Sequence, residues 1–198
     1  ERMSVGIDAL DAHLDDELRT LYAEVCASEA DYLLKRPVTA GLTKDNHPES
    51  NQWQGNISHR AAVLNAGHPR EADWRERASA LLVNSMATPS DATNAAVVDG
   101  QAVSARFVGA NMFDTRACNH HGYQNVGYMY ITLSNLGIYH FWCKRRGVKP
   151  PEALYHNALE QWKVGPLIPP SCSECWERDQ FTALIGWALS RSLKRSKA

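Results

Sequence analysis

Seven consecutive residues, Asn119-His120-His121-Gly122-Tyr123-Gln124-Asn125, form the most concentrated polar cluster in the chain. Histidine titrates near neutral pH, and a tyrosine whose pKa is depressed by its neighbours can act as acid or base. Asn and Gln hold a carboxylate or sugar hydroxyls without adding charge. The cluster stands at the mouth of a strongly apolar helical segment, and helix N-termini offer free N–H groups and partial positive charge to an anionic ligand. Asn119, His120, His121 and Tyr123 are therefore the catalytic candidates, with Gln124 and Asn125 beside them at the substrate. The competing reading is structural: Asn119 caps the helix, and the histidine pair makes ordinary hydrogen bonds.

A second group, Asn51, Trp53, Asn56, His59 and Arg60, falls within one helical segment. Asn56 shares a face with both His59 and Arg60, three and four residues on. An inward arginine requires an acidic partner or an anionic ligand. Trp53, one turn earlier, either stacks on a sugar or fills core. Cys172-Ser173-Glu174-Cys175 has the spacing of half a zinc site, but no second Cys pair or His-x-x-x-His follows it. No metal and no cofactor is expected. There is no Gly-x-Ser-x-Gly nucleophile motif and no glycine-rich phosphate loop.

The elements that must position these groups read as helices. Leu10, Leu14, Leu18, Leu21, Val25 and Leu33 recur at helical spacings, which predicts a helix from about Asp8 to Lys35, stopped before Pro37. A second helix is predicted from Glu49 or Ser50 to Gly67, with Trp53, Ile57, Ala61 and Leu64 along one apolar line. His68-Pro69 turns the chain into a third, with Trp74, Ala78, Leu81 and Leu82 facing the core and an end near Thr88-Pro89. Residues 90–118 read as a long loop with one hairpin over 97–103, where Asp99-Gly100 suits a tight turn. The fourth helix, about Tyr123 to Arg146, is apolar nearly all round and should have protein on most sides. Pro150-Pro151 opens a fifth, and a last helix spans about Trp176 to Lys194 after a Pro-rich loop over 165–172.

A weak repeat links Gly67–Trp74 with Gly147–Tyr155: a helix ends at Gly, a Pro turns the chain, and Glu-Ala leads to an aromatic in the next helix. The predicted fold is all-α, a single helical domain over residues 1–198. Its antiparallel helix pairs would form two layers, the inner one enclosed and lining a cavity.

The layout Glu49-Ser50-Asn51-x-Trp53, His68-Pro69 with Trp74, Val97-Val98-Asp99-Gly100-x-x-Val103, Gly109-Ala110-Asn111, and Asn119-His120 ahead of Gly127-Tyr128-Met129 resembles bacterial (α/α)-toroid proteins related to heparinase- and alginate-lyase-type polysaccharide lyases. The resemblance covers about residues 45 to 135. It implies a partial (α/α) toroid, since six helices fall well short of a full ring of helix pairs. It also implies β-elimination on an acidic polysaccharide. In such lyases Asn, His and Arg neutralise a uronate carboxylate and so acidify the C5 proton, a Tyr or His removes that proton, and the glycosidic oxygen leaves. Mapped here, Asn119 with Asn56 or Arg60 neutralises, His120 or His121 is the base, and Tyr123 is the acid or base. Trp53, Asn111, Gln124 and Asn125 would contact the substrate.

Composition narrows the alternatives. With 21 basic and 22 acidic residues the net charge is −1, which argues against a nucleic-acid binder acting through long-range attraction. The basic residues Arg191, Lys194, Arg195 and Lys197 suit a solvated helix end. No window reaches the roughly 20 apolar residues of a membrane span. Five cysteines at unmatched spacings make no disulfide framework, and Cys26 and Cys143 read as buried thiols. The chain opens at Glu1 without a signal-type apolar stretch, as a processed product or an excerpt would, and a secreted or periplasmic setting stays open. The expected partner is an acidic oligo- or polysaccharide or another small-molecule ligand. Two rival readings remain: a non-catalytic helical module binding a glycan or a partner protein, and an all-α biosynthetic enzyme using His and Tyr on a small hydrophobic substrate.

Overall fold

Helix α1 (Asp16–Leu34) starts where the carboxylate of Asp15 accepts the Leu18 N–H at 2.8 Å, later than the leucine spacing predicts. The start of that segment is a separate 3₁₀ turn, Asp11–His13. The computed structural model describes residues 6, 7, 10–44 and 46–164. The predicted helix over Trp176–Lys194, the Pro-rich loop before it, the Cys172/Cys175 pair and the C-terminal basic residues lie outside them.

The buried face of α1 includes Leu33 and the Cys26 thiol as predicted, and otherwise differs from the predicted leucine row. Tyr22, Cys26, Ala30 and Leu33 are buried, whereas Leu18, Leu21 and Val25 are about half exposed. Both rows satisfy a helical period. Tyr22, Cys26 and Ala30 are the ones that pack with Ala61, Ala62 and Trp74, the small Cys26 and Ala30 facing two alanines and so letting the helices approach closely.

Helix α2 (Pro48–Leu64) begins with proline at its first turn, where the missing N–H costs nothing. It is the centre of the molecule. Helix α1 lies antiparallel to it, tied by Asn51 Nδ2 to Thr39 O at 2.8 Å near one end and Asn65 Nδ2 to Ala23 O at 3.1 Å at the other. Helix α3 (Glu71–Ser85) is also antiparallel to α2, with Ser85 Oγ donating to Pro48 O at 2.7 Å. The indole N–H of Trp74 then joins α3 to α1 through Asp31 at 2.9 Å.

The α2–α3 contact is closest at Gly55, where a Cβ would stand 2.6 Å from Leu82 Cγ and 3.2 Å from the Ala78 carbonyl oxygen. Gly55→Ala should therefore destabilise the protein by about 1–3 kcal/mol, overpacking outweighing the roughly 1 kcal/mol gained in helix propensity. A lower urea midpoint at unchanged slope would register it.

Helix α5 (Val126–Arg145) runs parallel to α2. Asn56 Nδ2 reaches Asn135 O at 3.4 Å, His59 pairs with Tyr139 at 2.6 Å, and Arg60 lies over the rings of Tyr139 and Trp142, so the two numberings rise together. From Val126 to Cys143 every residue of α5 is at least half-buried, as its apolar composition requires. Its other side joins Leu82, Met86, Val103, Met112 and Leu154 in the larger core.

The long loop is more structured than its sequence pattern predicts. Thr88 and Asp91 make a reciprocal capping box on the 3₁₀ turn Pro89–Thr93. Strands β1 (Val97–Val98) and β2 (Gln101–Ala102) form the predicted hairpin, with Asp99 and Gly100 at φ 44° and 81°. The short helix α4 (Val103–Arg106) follows, held to α3 by a forked Arg106–Glu76 pair at 2.9 and 2.6 Å.

A second hairpin, β3 (Asn119–His120) with β4 (Tyr123–Gln124), was not predicted. His121 and Gly122 turn it at φ 58° and 86°, the positive angles that Asn-Gly usually supplies. It replaces the predicted first turn of α5, whose N-cap is Asn125 rather than Asn119.

The predicted fifth helix is split into a 3₁₀ turn, Glu152–Tyr155, and α6 (Ala158–Val164). The Asp99 carboxylate takes the N–H groups of Glu152 and Ala153 at 2.7 and 3.0 Å. Asn157, at φ 58°, donates to Met86 O and to Asp91. These long-range acceptors and donors hold the backbone out of the helical path. The described residues are thus mostly helical with two small antiparallel sheets. No helix among them is long and apolar enough to cross a membrane.

Candidate functional site

Behind the site stands Asn111, which is fully buried. Its Oδ1 accepts the N–H groups of His47 at 2.9 Å and Gly41 at 3.3 Å, and its Nδ2 donates to the carbonyls of Asn84 at 2.7 Å and Thr39 at 3.3 Å. All four positions of the amide are engaged. Predicted as a substrate contact, Asn111 instead clamps the loop that leads into α2.

The backbone carbonyl of Asn111 accepts from Asn46 Nδ2 at 2.7 Å, and this orients the Asn46 amide. Its oxygen then faces His120 Nδ1 at 2.5 Å. An amide oxygen can only accept, so Nδ1 carries the proton and Nε2 of His120 is left with the lone pair. The His120 ring stacks on Tyr128 with centroids 3.7 Å apart, and His121 meets it edge-on at 4.2 Å. The Tyr128 hydroxyl lies 3.3 Å from His121 Nε2.

Burial pushes the His120 pKa below its usual value, with Glu49 opposing and His121 and His47 assisting. Burial and then Glu49 push the Tyr128 hydroxyl upward. The pair is poised as a neutral imidazole beside a protonated phenol. A group that accepts a proton adjoins one that holds one.

Of these side chains Asn46, His120 and His121 line a cleft of about 640 Å³. Asn119, His120 and His121 form one wall. The facing wall is Lys44, Asn46 and His47 from the loop and Glu49 and Ser50 from the first turn of α2. Glu49 is buried, and Ser50 Oγ donates to its Oε1 at 3.0 Å.

The remaining candidates lie elsewhere. Tyr123 is 57% exposed, outside the wall, with its hydroxyl accepting from Asn125 Nδ2 at 3.1 Å. Asn125 caps α5 and Gln124 is exposed. Trp53 is 39% exposed and not part of the wall. Asn56 and Arg60 are fully buried, and Arg60 lies about 16 Å further along α2 than Glu49. The Arg60 guanidinium lies 4.7 Å from the Trp142 ring centre and 5.2 Å from that of Tyr139, an environment that stabilises a desolvated cation. The two polar clusters therefore do not share the cleft. Helix α2 contributes its first turn to it.

Sequence reasoning missed Glu49 as a buried carboxylate, Asn46 as the orienting amide and Tyr128 as the ring stacked on His120 with its hydroxyl facing His121. Tyr128 was legible only as one aromatic in an apolar helix. Among the described residues no group of three His, Cys, Asp or Glu side chains could hold a metal ion.

A second cavity, of about 490 Å³, is lined by His59, Arg75, Ser79, Asp99 and Lys149. His59 Nε2 faces Arg75 Nη1 at 3.3 Å, so its Nδ1–H donates to the Tyr139 hydroxyl. Burial, and then Arg75, lower the His59 pKa from 6.5 to about 4. Between those values the unfolded chain binds a proton that the folded chain refuses. The stability this group contributes is complete above about pH 6.5 and falls as pH drops to about 4, by about 3 kcal/mol. His120 and His140 are lowered too and act in the same direction. The slope of Tm against pH in this window should flatten in His59→Gln relative to wild type, which isolates the His59 share.

Comparison with protein-family models, with curated proteins and with solved structures finds no match for this chain.

Proposed function

We propose that the protein is a carbohydrate-active enzyme that cleaves an acidic polysaccharide by β-elimination at the His120 cleft. The observation that carries this reading is the Asn46–His120 bond, which holds the proton on Nδ1 and so prepares Nε2 as a base. In the proposed reaction Nε2 takes the C5 proton of a uronate whose carboxylate is neutralised by Lys44 and Asn119. The electrons of the broken C–H bond form the C4–C5 double bond, and the C4–O bond breaks. His121, whose Nε2 faces the Tyr128 hydroxyl at 3.3 Å, protonates the departing glycosidic oxygen. Tyr123, the acid or base of the sequence reading, has no part in this version because it lies outside the wall.

The parallel run of α2 and α5, each enclosed and α2 flanked by antiparallel helices, supports the accompanying proposal of a partial (α/α) toroid. The cleft wall is polar, which suits a sugar better than the small hydrophobic substrate of a biosynthetic enzyme.

The test is to mix the protein with oligosaccharides of alginate, polygalacturonate, hyaluronan and heparin and follow the ultraviolet absorbance of the unsaturated product. Turnover by wild type and by Tyr123→Phe, lost in His120→Gln, is the expected result. Binding without turnover across the whole panel would replace the enzyme with a glycan-binding module.

A further inference from the structure

His120 becomes a cation when its Nε2 takes a proton, and a cation formed in a half-buried place needs an opposite charge nearby. Its own hydrogen bond does not supply one. Nδ1–H is held by Asn46 Oδ1, the oxygen of a neutral amide, at 2.5 Å. Of the ionisable side chains around the ring, Lys44 and His47 from the loop and His121 from the hairpin oppose a further positive charge. Tyr128 from α5 keeps its proton, since burial and then Glu49 push its hydroxyl upward. So does the Cys118 thiol beside Asn46, which burial also pushes up. Among the described residues Glu49 is the one acidic side chain in the cleft wall.

Glu49 is placed to act as a charge rather than as a ligand contact. It is 7% exposed, Ser50 Oγ fixes its Oε1 at 3.0 Å, and its Oε2 has no hydrogen-bond partner among the described residues. It stands in the first turn of α2, where the partial positive charge of the helix favours a carboxylate. Burial excludes the water and salt that would screen its field, and the wall it faces carries His120. Burial lowers the His120 pKa, and Glu49 is the neighbour that raises it.

We infer that Glu49 is the counter-charge of the His120 imidazolium, a positioning residue that touches neither substrate nor reacting atoms and acts through the base. The proton passes from C5 to Nε2, the electrons of the C–H bond enter the C4–C5 double bond, and the Glu49 carboxylate takes up no proton. The catalytic part of this inference rests on the lyase reading of the cleft. The charge coupling between the two side chains does not.

Nuclear magnetic resonance of the isotope-labelled full chain reads the coupling directly. The His120 ring of Glu49→Gln should titrate at least about half a pH unit below that of wild type. Glu49→Asp, which keeps the charge, should titrate closer to wild type. In wild type the side-chain carboxyl signal of Glu49 should move as His120 titrates, and that step should be missing in His120→Gln. This second measurement requires no Glu49 variant to fold. In turnover, Glu49→Gln should lower kcat about twofold or more, because a weaker base removes the proton more slowly, and the acid limb of kcat/KM should move to lower pH. A merely structural role would slow the enzyme without moving that limb. A His120 titration indifferent to Glu49→Gln, or a wild-type Glu49 signal blind to His120, overturns the inference. Coupling without turnover of alginate, polygalacturonate, hyaluronan or heparin oligosaccharides would keep the charge pair and remove the lyase. Turnover that needs His120 but ignores Glu49→Gln would do the reverse.

Discussion

Turnover of an acidic oligosaccharide by His120→Gln is expected to fall by at least about a hundredfold, and by as much as about ten-thousandfold, with little change in melting temperature. Positioned proton transfer is worth that range, and glutamine cannot supply the basic nitrogen. Its amide can still donate to Asn46 Oδ1, so the anchoring bond that His120 makes at 2.5 Å is replaceable. The loss should therefore fall on kcat rather than on folding. In the wild type, kcat/KM should decline as pH drops through the His120 pKa, which burial places below the usual histidine value. A protein that keeps its rate as His120→Gln, or whose rate is flat through that range, has its base elsewhere.

Asn111→Ala should lower the stability by about 4 kcal/mol or more, among the largest effects of any single substitution in this chain. The side chain is fully buried and serves four backbone groups from two separate segments: Gly41 and His47 N–H and Thr39 C=O of the loop before α2, and Asn84 C=O of α3. Removing the amide takes this partner from Gly41 and His47 N–H and from Asn84 C=O, at about 1–3 kcal/mol apiece before the structure relaxes, while Thr39 C=O keeps its bond from Asn51 Nδ2. Asn111→Asp separates the two halves of the amide. It retains the acceptor for Gly41 and His47 but has no donor for Thr39 and Asn84, and it buries a charge. It should be no more stable than the alanine protein. Urea denaturation measures both. Because Asn111 also positions the Asn46 amide through its own carbonyl, Asn111→Ala protein that remains folded should bind oligosaccharide weakly.

The existence and approximate extent of the long helices were legible in the chain, because the signals that make them are local. Apolar residues recur at helical spacing, Pro37, Pro69 and Pro89 interrupt the pattern, and Gly67 and Gly147 follow helix ends at positive φ. The Asp99-Gly100 hairpin was legible for the same reason. The turn at His121-Gly122 was not, since histidine enters the left-handed region much less often than asparagine and the adjacent polar residues also read as a helix start.

The face of α1 that meets the core lay beyond local reasoning. A period groups Leu18 with Leu21 and Val25, and equally groups Tyr22 with Cys26 and Ala30, but the close approach of Ala61 and Ala62 selects the second set. The site divides in the same way. Asn119, His120 and His121 were visible as a cluster because they are contiguous. Which histidine nitrogen is basic depends on Asn46, 74 residues away, and Asn46 is oriented by Asn111, a further 65 residues from it along the chain.

Asn56 and Arg60 were read as ligand contacts because their residue types are costly to bury. The same cost is met by α5, through the Asn135 carbonyl for Asn56 and the rings of Tyr139 and Trp142 for Arg60, which no spacing within α2 could reveal. The sequence by itself determined where the chain coils, where it turns and which residue types are available for proton transfer. Tertiary structure alone decided which of those side chains share a cleft, which carry the proton and which hold the backbone. Helix propensity acts over a few neighbouring residues, whereas a hydrogen bond or a charge acts on whatever folding brings within a few ångströms.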